Sequence, residues 1–201
     1  MADSIPIDLD QLDRCKRCAR LQRQFKRLRI EYPDYWNRPV SPSGPDDARL
    51  LIVGLAPGMH GANRTGIPFM GDASGELLFT VLRQLGIDQA VRITNVVKCL
   101  PISNLPAASE VNACQRFLGK EVHHQNTLLV LVGVAHVACV RCFGARQADH
   151  PFVHGAVHTL DAATLIDSYH CSRYNTQTGR LTQTMFHEVV KSAARHAGLL
   201  D

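Results

Sequence analysis

The sequence predicts an α/β fold: a three-layer sandwich in which a central, mostly parallel four-stranded sheet is flanked by helices. Three observations predict it. Short continuous apolar runs recur along the chain, as expected of strands buried on both faces. Stretches with helical spacing separate them, and strands alternating with helices build parallel sheets covered on both sides. The chain has 201 residues, 45% of them hydrophobic, which suffices for one domain with a substantial core.

The first element is an amphipathic helix. Leu21, Phe25 and Leu28 fall on one face, while Lys16, Arg20, Arg23 and Arg27 share another. It starts at the Cys15–Cys18 pair and ends before Tyr32-Pro33. Pro39 to Pro45 is rich in Pro, Gly and Ser and reads as a loop, not a domain linker. Strands are predicted at Leu50–Leu55, Val91–Val97, Leu128–Val132 and Thr164–Tyr169. Helices are predicted at Gly75–Leu85, Ser109–His124, Ala135–Cys142 and Thr182–Ala197. Residues 1–201 read as a single domain, with segment 10–45 packed on the α/β core. There is no internal repeat and no low-complexity segment.

Composition excludes several classes. No apolar run approaches the roughly 20 residues that a membrane helix needs. Met1 to Asp10 is acidic and lacks the basic-then-apolar pattern of a secretory leader. A cytoplasmic, monomeric protein without membrane contact is expected. Seven cysteines in a reducing compartment argue for metal ligation, catalysis or burial rather than disulfides. Eight basic residues and no acidic one lie between Arg14 and Arg29, whereas the other 14 basic residues are outnumbered by 18 acidic ones. Such a segment either attracts a polyanion through counterion release or is a solvated helix face.

Two polar loops follow predicted strands, where ligands of open α/β sheets bind. Gly54-Leu55-Ala56-Pro57-Gly58 has neither dinucleotide-fingerprint nor Walker spacing, and taken alone is a tight turn. It leads into His60-Gly61-Ala62-Asn63-Arg64-Thr65-Gly66 and Pro68-Phe69-Met70-Gly71-Asp72. A long Gly-rich loop holding these side chains is costly to order without a function. The second loop runs from Ser168 to Gly179 and opens on Tyr169-His170. Cys15 and Cys18 form C-x2-C, while Cys99 and Cys114 stand far apart in the chain; the spacing admits zinc or an iron–sulfur cluster. Cys139 and Cys142 read as buried helix residues, and Cys171 as a loop residue with no metal role.

Together these segments resemble the uracil-DNA glycosylase superfamily, and most specifically its family 5, over almost the whole chain. The resemblance rests on Gly54 to Pro57, on His60 to Asp72, and on Tyr169-His170 with Ser172-Arg173 and Asn175 to Thr182. Leu55 stands where family 4 carries an acidic residue. Departures are Gly58-Met59 in place of two alanines, Ile67 for a common Arg, Ile102-Ser103 within a Pro-Pro stretch, and Cys171.

The resemblance implies hydrolysis of the N-glycosidic bond of uracil in DNA, on a base rotated out of the stack, as a first step of excision repair in a prokaryotic cell. It implies a 4Fe-4S cluster on Cys15, Cys18, Cys99 and Cys114. Asp72 would orient water and favour the cationic sugar. Asn104 and His170 would hold the departing base, Phe69 would stack on it, and Asn95 with Gly54, Ala56 and His60 would complete its site. Arg173, Asn175 and Arg64 would grip phosphates. Outside the resemblance Asp72 reads as a loop-capping residue and Asn104 as a turn residue. Leu55 and Ala56 supply no side-chain hydrogen bonds, so the site should also accept other deaminated bases such as hypoxanthine. Two other classes fit parts of the sequence: a non-catalytic iron–sulfur DNA-binding protein, and a zinc-stabilised nucleotide-binding protein.

Overall fold

The computed structural model describes residues 9–201, so the reading of Met1 to Asp10 lies almost entirely outside the described residues. Five strands form one sheet in the order β2-β1-β3-β5-β4. They are β1 (Leu50–Gly54), β2 (Val91–Asn95), β3 (Thr127–Val130), β4 (Val157–Leu160) and β5 (Ala163–Asp167). The inner strand β1 pairs in parallel with β2 and β3, β3 pairs in parallel with β5, and only β4 runs antiparallel, against β5.

The expected four strands are thus joined by a fifth. The reason β4 escaped the sequence pattern is that its alternation is inverted. Val157 is 46% exposed while His158 faces inward at 8%. An apolar residue outside and an imidazole inside do not read as a half-buried strand. His158 is accommodated because its Nε2 donates to the buried Asp167 carboxylate at 3.0 Å.

Eight α-helices, α1 (Leu9–Asp13), α2 (Ala19–Glu31), α3 (Ala62–Thr65), α4 (Ala73–Gln84), α5 (Ala108–Val122), α6 (Gly133–Cys142), α7 (Arg173–Gln177) and α8 (Gln183–His196), accompany the sheet in the described residues, with short 3₁₀ turns at Ile102–Asn104 and Gln147–Asp149. The strands alternate their side chains between two cores. Leu51, Val53, Leu128, Val130 and Leu165 pack with the α2, α5 and α6 side. Leu50, Ile52, Leu129 and Ile166 pack with the α4 and α8 side, around Leu78, Leu82 and Phe186. Leu21, Phe25 and Leu28 of α2 are buried, which is the face its spacing predicts. No described helix is long and apolar enough to cross a membrane.

The sheet edge at β2 is covered by the loop before β1, through the Ser43–Ile93 bridge and a Val40 N–H to Lys98 carbonyl bond of 2.7 Å. At the carboxyl ends of β1, β2, β3 and β5 the chain leaves the sheet in one direction, and the polar loops gather there.

Candidate active site

A cavity of about 510 Å³ opens at those strand ends. Its wall is the turn from Leu55 to Ala62, with Phe69, Asp72, Asn95, Asn104, Val132 and His170 contributed by separate segments.

Gly54 explains how the floor is built. A Cβ there would lie 2.5 Å from Asn95 Oδ1 and 2.6 Å from the Phe69 ring. Only glycine lets the Asn95 amide and the Phe69 ring press against the end of β1. Phe69 itself is held at a φ of 57°, in the left-handed region, and its ring stacks on that of His170 with centroids 5.8 Å apart.

Asp72 caps α4, where its Oδ1 accepts the Gly75 N–H at 3.0 Å. The capping role that the sequence alone suggests is therefore real, yet it occupies one oxygen. The other faces the turn at Gly58 and Gly61, and a Cβ at Gly61 would collide with it. The helix N-terminus supplies a donor and a favourable dipole for the carboxylate, while the second oxygen remains against the cavity.

His170 follows β5. Burial pushes its pKa below the ordinary value, with the Asp72 carboxylate pulling weakly the other way. The imidazole is neutral at neutral pH. Its depressed pKa makes a contribution to stability that is present above about pH 6.5 and lost as the pH falls from there. Asn175 donates from Nδ2 to the His170 carbonyl at 2.8 Å, so its amide holds the loop in shape. The Arg64 guanidinium donates to the Gly71 carbonyl at 2.9 Å and latches the first loop on itself. Arg173 is exposed at the start of α7. Asn104 is exposed on the rim with a φ of 57°. His60, also on the rim, is hydrogen-bonded through Nδ1 to the Tyr35 hydroxyl at 3.1 Å. Ala56 lines the cavity without polar side-chain atoms.

Several supporting residues, Asn63 of the first loop apart, carry no sequence signal, because isolated polar residues read as surface. Asn37 and Asn63 are both fully buried and bonded to each other at 2.9 Å, and Asn37 also donates to the Leu28 and Tyr32 carbonyls. They tie the end of α2 to the first loop. Behind β5, Asp167 accepts from His136 Nδ1 at 2.7 Å, from His158 Nε2 at 3.0 Å and from the Val153 N–H at 3.2 Å. The other nitrogen of His136 faces the His150 carbonyl at 2.8 Å. Both partners of His136 are pure acceptors, so both ring nitrogens carry protons. Burial opposes that charge, and the Asp167 carboxylate outweighs it, raising the pKa. These ligand-type atoms lie within 4.8 Å of one another, but hydrogen bonding within the group already satisfies them. Tyr169, next along the chain, stacks between His154 and Arg180.

On the far side of the core, Cys15, Cys18, Cys99 and Cys114 line one small cavity between α1, α2, α5 and the turn after β2. Burial raises the Cys18 thiol pKa to about 11, with the neighbouring Cys114, Glu110 and Cys15 adding to it. Cys99 is raised further by burial and by the other three cysteines. Among the described residues, no three cysteine sulfurs come within 4.8 Å of one another. The cavity that the four thiols line is small, about 10 Å³. Cys139 is wholly buried in α6, and Cys142 accepts from Gln115. Cys171 is buried against the Ser74 carbonyl, and burial pushes its pKa to about 12.

Comparison with known proteins places these features. The profile of the Uracil DNA glycosylase superfamily matches residues 41–194. A type-5 uracil-DNA glycosylase of Thermus thermophilus is 43% identical over 182 residues, spanning 82% of this chain and 83% of that protein. One of Pyrobaculum aerophilum is 39% identical over 96% of this chain and 93% of its own length. A type-4 uracil-DNA glycosylase of Sulfurisphaera tokodaii is 32% identical over 60% of this chain and 50% of that protein.

The close approach at Gly54 is directly testable. Gly54→Ala should cost about 1–3 kcal/mol, the usual range for overpacking, read as a lowered denaturant midpoint. Unchanged stability would show that Phe69 and Asn95 are free to step aside.

Proposed function

The chain belongs to the uracil-DNA glycosylase superfamily, and we propose that its excision of uracil from DNA takes place in the cavity at the strand ends. The observation that carries this reading is the convergence there of Phe69, Asp72, Asn95, Asn104 and His170 from four separate segments.

The base must leave the helical stack to reach the cavity. Phe69 offers it a ring face, and the Asn95 amide lies beside that ring to read its polar edge. As the C1′–N1 bond breaks, the bonding electrons leave with the base. Neutral His170 and Asn104 then donate hydrogen bonds to the developing anion, a form of electrostatic stabilisation. The free oxygen of Asp72 orients water towards C1′ and balances the cationic sugar. Water forms the new C1′–O bond, and its proton passes to the carboxylate.

The DNA backbone meets cationic side chains along α2. Arg23 and Arg27 share a groove with Ile102, and Ile102 is two residues from Asn104 at the cavity rim. Arg14, Lys16, Arg17 and Arg116 surround a second concave surface. Arg20 lines the first groove as well, while its Nε and one terminal nitrogen bind Glu110 at 2.8–2.9 Å. Arg173 stands beside the cavity as a further phosphate partner.

A 4Fe-4S cluster on Cys15, Cys18, Cys99 and Cys114 suits four thiols brought to one cavity from distant segments of the chain. When bound, it serves as a cross-link, since metal binding free energy becomes folding free energy.

Three outcomes test these readings. Asp72→Asn should slow release of uracil from a duplex by roughly 10²–10⁴-fold, with duplex affinity retained because a negative charge has been removed. Full activity would end the proposed role. Purified protein should contain about four irons per chain. Cys99→Ala or Cys114→Ala should lose the iron together with fold stability, while Cys139 and Cys142 changed together should keep it. Finally, the apolar turn at Leu55 and Ala56 should let hypoxanthine compete with uracil as substrate. Met59 lines the cavity where a purine would need room, and a flexible thioether can yield. Excision of hypoxanthine should rise in Met59→Ala. Failure of both wild type and variant to release it would refute the permissive cavity.

A further inference from the structure

Lys98 is fully buried, a rare state for lysine without a complete set of partners. Its three N–H groups meet three acceptors. Nζ donates to Thr94 Oγ1 at 2.6 Å, to the Asn95 carbonyl at 2.7 Å and to Glu121 Oε2 at 2.7 Å. Glu121, likewise fully buried, balances the charge. The same turn carries the Val96 and Val97 N–H groups that bond the Gly54 and Leu55 carbonyls. Stability alone gives little reason for an ion pair here, because replacing a buried pair with apolar residues of similar size is often neutral or stabilising.

We propose that Lys98 is a positioning residue for base recognition: its ammonium fixes the Asn95 carbonyl, and thereby aims the Asn95 amide into the cavity. Glu121 holds the ammonium in place. The pair also joins the cavity to the cysteine cavity. Lys98 immediately precedes Cys99, and Glu121 stands two helical turns beyond Cys114 on α5. This inference rests on Asn95 facing the flipped base.

The test replaces the pair as a unit with Lys98→Met and Glu121→Leu. The double variant should fold at least as stably as the wild type, keep its iron and bind undamaged duplex normally. Its single-turnover release of uracil should fall by about 10–10²-fold, the cost of a small misplacement, and inhibition by free uracil should weaken in step. Adding Asn95→Ala to the double variant should cost little more, because coupled residues are not additive. Unchanged release in a folded double variant would overturn the proposal. Should that variant not fold, Glu121→Gln leaves the amine on the Asn95 carbonyl and should keep release within about twofold of wild type. A folded Glu121→Gln protein that has lost release would equally overturn it. Asn95→Ala tested alone separates the two ideas. If it releases uracil normally, the reading of Asn95 fails and this inference falls with it. If it is impaired while the double variant is not, only the positioning role fails.

Discussion

Gly54 ends the inner strand β1, and the missing side chain there sets the spacing of the Phe69 ring and the Asn95 amide in the cavity. The Phe69 ring and the Asn95 amide both lie against its backbone at separations that no other residue would permit. Phe69 in turn carries the ring of His170, and its strained φ places it at the start of the turn that delivers Asp72 to the N-terminus of α4. Gly61 repeats the device at the opposite wall, where bare backbone makes room for an Asp72 oxygen. The chemistry of the site is thus carried by side chains, but their spacing is set by two places where a side chain is absent.

Around that cavity the protein buries several polar groups, and they are bonded chiefly to one another. An unpaired one would cost about 1–3 kcal/mol. Asn37 with Asn63, Lys98 with Glu121, and His136 with Asp167 and His158 are all interior. Each group joins elements distant in sequence. The first fastens the end of α2 to the loop of His60 and Asp72. The second fastens α5 to the end of β2. The third fastens α6 and the loop before β4 to the strand that leads into His170. The segment holding Cys15 and Cys18 is fastened likewise, through the Arg20–Glu110 fork. The cysteine-bearing half is therefore joined to the cavity through directional contacts as well as apolar packing.

The apolar periodicity located the four parallel strands and the longer helices to within a few residues, since burial on one or both faces imposes those periods directly. The Gly-rich and His-opening loops were legible because ligand-binding side chains cluster at strand ends. Legibility failed where a polar side chain turned inward. His158 made β4 read as irregular chain. Arg20, counted among the charges of a basic face, spends its guanidinium on Glu110. Asn175 and Arg64, expected at the DNA, also bond the His170 and Gly71 carbonyls, contacts that no local pattern announced. Lys98 and Asn37 drew no notice at all.

By itself the sequence determined the order of strands and helices, the family, and the identity of the residues that meet at the cavity, because periodicity and motif are properties of neighbouring positions along the chain. Only the tertiary structure decided which polar groups face the cavity and which merely support it. A hydrogen bond is short and directional, and its partner is chosen by proximity in space. The donors and acceptors that matter here, from Arg20 and Glu110 to His136 and Asp167, lie as many as 90 residues apart in the chain, where no local pattern records that they meet.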